Sequence, residues 1–216
     1  MKRCVIITGY IEGSIRNICP ELFDSSASKP LTLCADGGYR LAAKEGLIPQ
    51  VIIGDFDTFD GMETDVPEAG QIIRVPVEKD DTDTLLCIKY GLEQGCDSFL
   101  IIGGIGGRLD HTFANLQSLA YLTSHGAEVV MKDEETCVTM LSSGVHTLRQ
   151  SDYRRFSLFA WSPTVEDLSI RGSKYELEHG KLENTFPLGV SNEFTKTDVE
   201  LSFHSGMMLV IMNHQR

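Results

Sequence analysis

The chain has 216 residues, 42% of them hydrophobic, and a formal net charge of −12. That composition supports a buried core, in one domain or two small ones, and excludes a disordered tail. The acidic balance disfavours nonspecific attraction to nucleic-acid phosphates, so an anionic substrate needs a local cation or a bound metal such as magnesium.

At the N-terminus, MKRCVIITGY starts with basic residues, but its apolar run meets glycine too soon for a signal peptide. No run approaches the roughly 20 apolar residues of a membrane span. The expectation is a soluble, cytoplasmic protein that binds neither membrane nor nucleic acid. Cys4, Cys19, Cys34, Cys87, Cys96 and Cys137 are scattered, with no CxxC pair and no zinc spacing. They read as small buried apolar residues in a reducing cytosol.

The short apolar runs CVIIT, LTLCA, VIIGD, FLIIGG and AEVVM each lead into a turn containing Gly or Asp, and helical patterns lie between several of them. Strands that alternate with helices predict a mainly parallel sheet with crossovers. GGYRLAAKEGL places Leu41, Ala42 and Glu45 at helical spacing and closes on Gly46; DTDTLLCIKYGLEQG opens on acids and closes at Gly95. From about Asp133 the texture changes to TCVTML, GVHTLR, RFSLFAW, EDLSIRG, KYELE, VELSF and GMMLVIM, short and often alternating, as in an antiparallel sandwich or barrel. The predicted organisation is an α/β N-terminal domain over residues 1–135 and an all-β C-terminal domain over residues 136–216.

Three acidic clusters fall where strands should end: Asp55 and Asp57, then Asp80, Asp81 and Asp83, then Asp110. Ligands of open α/β sheets bind outside the carboxyl ends of the strands, so these distant clusters can converge. Asp55 and Asp57 point to one side of an extended segment, and Asp80 and Asp83 are neighbours on an early helical turn. Such hard oxygens suit Mg²⁺, which takes one or two carboxylates plus phosphate oxygens. Capping and solvation account for Asp81 and Asp60 without a ligand.

After FLII, Gly103 to Gly107 form a turn whose backbone a ligand can approach closely, and LDHTFANLQSLAYL predicts a helix with Leu109, Phe113, Leu116, Leu119 and Ala120 on its apolar face. Amides at that helix start favour anions, and Arg108 adds a planar fork suited to phosphate. The stretch is neither a Walker loop nor a dinucleotide fingerprint, because GK[ST] is lacking and Leu109 stands where the last glycine belongs. His111 serves equally as ligand contact or structural residue, and Trp161 and Tyr175 read as core or interface aromatics.

Together ADGGYR, GDFDT, KDDTDT, GGIGGRLDHTFANL and LENTFPLGVSNEF resemble, in order, the motifs of thiamine pyrophosphokinases of the bacterial type. The resemblance implies transfer of the pyrophosphoryl group of ATP to thiamine, giving thiamine diphosphate and AMP. It implies an α/β catalytic domain that binds ATP and Mg²⁺, a β-sandwich for thiamine binding and dimerisation, and a homodimer with active sites at the subunit interface. Carried over by position, Asp55, Asp57 and Asp83 are metal ligands and, with Arg108 and Asp110, catalytic residues. The ATP side comprises Asp36, Gly37, Gly38, Asp80, Gly104, Gly106, Gly107, Arg108 and His111, and the thiamine side Ser191, Asn192 and Phe194. Phe194 falls near where some members carry a tryptophan that stacks on thiamine. Two alternatives remain open at the level of sequence: DFDTF is also similar to the Asp-x-Asp nucleophile motif of haloacid-dehalogenase-like phosphatases, and the same fold can serve as a noncatalytic sensor.

Overall fold

The apolar runs of the N-terminal half pair side by side in parallel, as strands buried on both faces do. The computed structural model describes residues 1–24, 29–56, 69–150 and 153–214. They divide into two units, Met1–Glu134 and Glu135–Arg216.

In the first unit β1 (Arg3–Ile7), β2 (Leu31–Ala35), β3 (Val51–Gly54), β4 (Gln71–Arg74), β5 (Ser98–Ile102) and β6 (Glu128–Lys132) pair in the order β6-β5-β1-β2-β3-β4, each pair parallel. Strand β4 carries no long apolar run: QIIR is a half-exposed edge strand, recognisable only through its partner β3. Among the described residues four α-helices accompany the sheet: α1 (Ile15–Ile18), α2 (Gly38–Lys44), α3 (Asp83–Glu93) and α4 (Leu109–Ser124), with a 3-10 turn at Pro20–Phe23. Val5, Ile7, Cys34, Ile52 and Ile102 from the strands pack with Ile15, Leu22, Tyr39 and Ala42 in one core. All six cysteines are buried, and burial, with Glu21 adding, pushes the Cys19 thiol up to about 12. No helix among the described residues is long and apolar enough to cross a membrane.

One helix start and one helix face depart from the sequence expectation. The hydroxyl of Thr82 caps α3, accepting from Leu85 N at 3.2 Å, so the helix begins at Asp83 and Asp80 stands exposed before the cap rather than one turn below Asp83. On α4 the buried residues are Asn115, Ser118, Leu119 and Leu122, while Leu109 and Phe113 are 81% and 55% exposed. The polar Asn115 displaces the expected apolar face because its amide is needed inside, where Nδ2 donates to Gly104 O at 3.0 Å.

The second unit contains only strands among its described residues: β7 (Thr136–Leu148), β8 (Arg155–Ala160), β9 (Thr164–Arg171), β10 (Leu177–Glu183), β11 (Gly189–Glu193) and β12 (Val199–Asn213). VELSF and GMMLVIM join into the single long β12, and TCVTML and GVHTLR into β7. Strand β12 pairs with β7 along its length, with β9 through Glu200–Ser205 and with β8 through Met208–Asn213. The change of partner falls at an irregularity between Phe203 and Met207, where Gly206 has φ +101 and a Cβ would meet Thr164 O at 2.3 Å. Only glycine fits that bend.

The two glycines that open α2 separate packing from exposure. A Cβ on Gly38 would meet Ile7 O at 2.2 Å, whereas one on Gly37 meets nothing within 4 Å. Gly38→Ala is therefore expected to lower stability by about 2–4 kcal/mol and Gly37→Ala by less than about 0.5 kcal/mol, as read by urea unfolding. Equal losses would remove the close approach of α2 to β1.

Candidate active site

Strand order reverses at β1, whose neighbours are β2 on one side and β5 on the other, the place where open α/β sheets bind ligands. Thr8 ties these loops together: its Oγ1 lies 3.1 Å from Ile102 O and 3.0 Å from Tyr10 O. Gly103, Gly104, Gly106 and Gly107 all have positive φ, from +64 to +86. The Tyr10 ring lies against the turn, since a Cβ on Gly106 or Gly107 would meet it at 3.2 or 3.1 Å. A residue with a side chain could not adopt this turn beneath the ring. Tyr10 is a part of the site that sequence reasoning missed, because nothing in TGY marks it as a neighbour of residues a hundred positions on.

Three amides of the turn are already committed: Gly103 N to Lys132 O at 2.8 Å, Gly104 N to Tyr10 O at 2.8 Å, and Gly106 N to Thr112 Oγ1 at 3.1 Å. Those three donors are therefore already paired within the chain. Arg108 makes a two-pronged pair with Asp110, Nη2 to Oδ2 at 2.6 Å and Nε to Oδ1 at 3.2 Å. Both side chains are largely exposed, so the pair orients the guanidinium and adds little to stability. The guanidinium holds the Asp110 carboxyl below the usual range, with the His111 amide assisting. His111 is exposed beside them, and its amide donates to Asp110 Oδ1 at 3.0 Å.

Past the ends of β2 and β3 the acids converge. Asp36 has φ +38, and its amide donates to Ile53 O at 2.8 Å. It approaches Gly54 so closely that a Cβ there would lie 2.8 Å from Asp36 Cα and 2.9 Å from its Oδ1. Asp55 follows, then Phe56 with φ +57, an uncommon conformation for so bulky a residue. Lys79 Nζ lies 2.6 Å from Asp55 Oδ2 and 3.1 Å from Asp83 Oδ1, with 14% of its side chain exposed. The second contact is an ion pair rather than an aligned hydrogen bond, and among the described residues neither Asp83 Oδ1 nor Asp36 Oδ1, both buried, meets an aligned donor. Burial pushes the Asp83 carboxyl above its usual range; Lys79 opposes the rise, and Asp36 and Asp55 add to it. For Lys79 the two carboxylates outweigh burial and hold the ammonium above its ordinary range.

Among the described residues, no three His, Cys, Asp or Glu side chains gather tightly enough to hold a metal by themselves. Asp57, expected as a third ligand, lies outside the described residues, as does Asp60. Two carboxylate oxygens, Asp55 Oδ2 and the buried Asp83 Oδ1, that already hold one ammonium nevertheless fit a cation that completes its shell with phosphate oxygens. Asp80 is exposed and outside this convergence, and Asp81 pairs with Lys89 at 2.5 Å.

In the second unit the three expected thiamine contacts separate. Ser191 is exposed with φ +63, and its amide donates to Ser157 Oγ at 3.1 Å. Asn192 is buried, its Nδ2 donating to Tyr175 O at 2.8 Å and its Oδ1 accepting from Tyr175 N at 3.1 Å. Phe194 is buried against Phe156, ring centroids 5.0 Å apart. Within this chain, then, Asn192 fixes a turn and Phe194 fills a core, and neither presents an open face. Tyr175, on the turn that Asn192 holds, is 58% exposed and is not a core aromatic.

Residues 24–131 match the model of the thiamin pyrophosphokinase catalytic domain, and residues 145–208 that of the thiamin pyrophosphokinase vitamin B1 binding domain. The chain belongs to the thiamin pyrophosphokinase family. It is similar to the thiamine pyrophosphokinase of Bacillus subtilis, 27% identical over 204 residues that cover 93% of this chain and 95% of the relative. The crystal structure of a thiamine pyrophosphokinase from Bacillus subtilis superposes with a TM-score of 0.84 at 25% identity, covering all of both chains. A family protein from Enterococcus faecalis gives a TM-score of 0.84 at 26% identity, covering 99% of this chain and all of the other. Family membership decides against the phosphatase reading of DFDTF, and the motif follows β3 rather than the first strand.

The raised pKa of Asp83 has a stability consequence of definite sign. Its folded form binds the proton more tightly than the unfolded chain does, so this group's contribution falls as pH rises from the ordinary aspartate range through the raised value. Asp83→Asn is expected to melt at or above the wild-type temperature at pH 7, with the difference shrinking toward pH 4, while turnover falls at least about a hundredfold. Calorimetry at the two pH values checks the sign, and a clear loss of melting temperature at pH 7 would overturn it.

Proposed function

We propose that the acids and Arg108 at the carboxyl end of the first unit's sheet bind Mg²⁺–ATP, and that the exposed rim of the second unit around Ser191 meets thiamine. The chain is an enzyme, a thiamine pyrophosphokinase in activity. The hydroxyl oxygen of thiamine attacks the β-phosphorus of ATP, the bond to the α-phosphate oxygen breaks, AMP leaves and the hydroxyl proton is released. Such transfers depend on positioning and charge neutralisation more than on covalent help from the protein. The observation that supports the site assignment is the convergence of Asp36, Asp55 and Asp83 past the strand ends, with Lys79 between Asp55 and Asp83.

Asp55 and Asp83, with Asp57 beside them in sequence, would hold the metal, which when bound supplies charge neutralisation for the triphosphate. Arg108, held in plane by Asp110, meets phosphate oxygens with a fork that lysine lacks. Asp36 and the Gly37–Gly38 helix start, the Gly104–Gly107 turn and His111 border the nucleotide, and Asp80 lies on its outer margin. For thiamine, Ser191 offers an exposed hydroxyl, while Asn192 and Phe194 shape the rim from beneath.

The second unit is read as a β-sandwich, supported by the approach of β10 to β8, which are not paired, and by the shared strand β12. A homodimer with active sites at the subunit interface accounts for the exposure of Leu109 and Phe113 on one unit and of Phe186, Leu188 and Val190 on the other. Six buried cysteines fit a reducing compartment such as the cytoplasm.

Incubation with ATP, Mg²⁺ and thiamine is expected to yield AMP and thiamine diphosphate in equal amounts; ADP or inorganic phosphate as the main product would overturn the reading. Ser191→Ala is expected to raise the KM for thiamine with little change in the KM for ATP, since one substrate's uniform binding is weakened. Phe194→Ala is expected to lose about 3–5 kcal/mol of stability to urea, as emptied aromatic core sites do. A Phe194→Ala protein of normal stability with only a raised thiamine KM would return Phe194 to the ligand surface.

A further inference from the structure

We infer that Lys79 is an internal counter-ion that occupies the metal's place between Asp55 and Asp83 until nucleotide arrives, and that it thereby selects the metal–nucleotide complex over the metal alone. The inference rests on the assignment of Asp55 and Asp83 made above and names a role for a residue to which the sequence pattern attached none.

The geometry is that of competition for the same atoms. The ammonium lies 2.6 Å from Asp55 Oδ2 and 3.1 Å from Asp83 Oδ1, the oxygens a cation would use. It is largely covered, and a third carboxylate, Asp36, lies against Gly54, the residue before Asp55. Two carboxylates on one ammonium leave a negative excess, which suits a divalent ion better than a monovalent one. A divalent ion that enters by itself must push a buried ammonium out with no anion to receive it. One that enters on a triphosphate brings the anion with it, and the flexible four-carbon stem of Lys79 lets the ammonium turn from carboxylate to phosphate oxygen. Displacement is thus unfavourable for the metal alone and nearly balanced for the complex. The two ligands become positively coupled through one side chain, and the coupling is reciprocal.

The test reads Mn²⁺ binding by electron paramagnetic resonance, with and without a nonhydrolysable ATP analogue, in the intact protein. In Lys79→Met and Lys79→Gln, Mn²⁺ alone is expected to bind at least about tenfold more tightly than in wild type, and the enhancement of Mn²⁺ binding by the analogue to shrink by a similar factor. Melting temperature without metal is expected to fall in both variants and to rise with added Mg²⁺ by more than in wild type. Lys79→Arg, which keeps the charge, is expected to retain the weak Mn²⁺ binding of wild type and serves if the neutral variants fail to fold: Mn²⁺ binding at least about tenfold tighter in Lys79→Arg than in wild type would overturn the proposal. Unchanged Mn²⁺ affinity in Lys79→Met and Lys79→Gln would also overturn it. An Asp55→Asn control separates the two readings. If Asp55→Asn leaves Mn²⁺ binding untouched, the metal assignment fails. If it abolishes binding while the Lys79 variants match wild type, the role of Lys79 alone fails.

Discussion

The ammonium of Lys79 between Asp55 and Asp83 is the interaction on which the arrangement of the first unit's site depends. Carboxylates from the ends of β2 and β3 and from the start of α3 are brought together by the parallel sheet, and like charges in a half-buried space repel. A cation must stand among them, and in the chain by itself that cation is a lysine from the segment leading into α3. Asp36 in a left-handed conformation and Gly54 without a side chain are the local consequences of this crowding. Structural economy alone would have placed uncharged residues here. The converging carboxylates are better understood as binding capacity held ready for a ligand.

The same edge of the sheet carries a second device with the opposite character. The turn after β5 is rigid: its amides are tied to Lys132, Tyr10 and Thr112, Asn115 fastens it from within, and the Tyr10 ring covers its glycines. Arg108 projects from the end of this fixed turn with its plane set by Asp110. An ammonium on one side and a held guanidinium on the other suit a triphosphate whose charge must be neutralised at several points as one bond breaks.

In the second unit the long β12 organises everything else, because it changes partner from β9 to β8 at the Gly206 bend while remaining paired with β7. The buried Asn192 then fastens the turn at Tyr175 beside β11, and Phe194 fixes the end of β11 by packing on Phe156. In this stretch the polar amide of Asn192 and the ring of Phe194 face inward, while Ser191 and Tyr175 are exposed.

Much of this was legible in the order of the residues. Runs such as CVIIT and FLIIGG mark buried parallel strands by their apolar continuity, the alternating runs after Asp133 mark antiparallel ones, and the five motif strings identify the family and its activity before any coordinate is known. These are properties of single segments, set by local periodicity and by the chemistry a string can support. What tertiary structure decided concerns pairs that sequence spacing does not relate. Lys79 lies between Asp55 and Asp83, Tyr10 lies on Gly106 and Gly107, Leu109 and Phe113 face outward while Asn115 faces inward, and Phe194 meets Phe156. Each outcome is a competition between alternatives of similar local merit, and it is resolved by which strand ends the sheet order makes neighbours and by which buried polar groups find partners there.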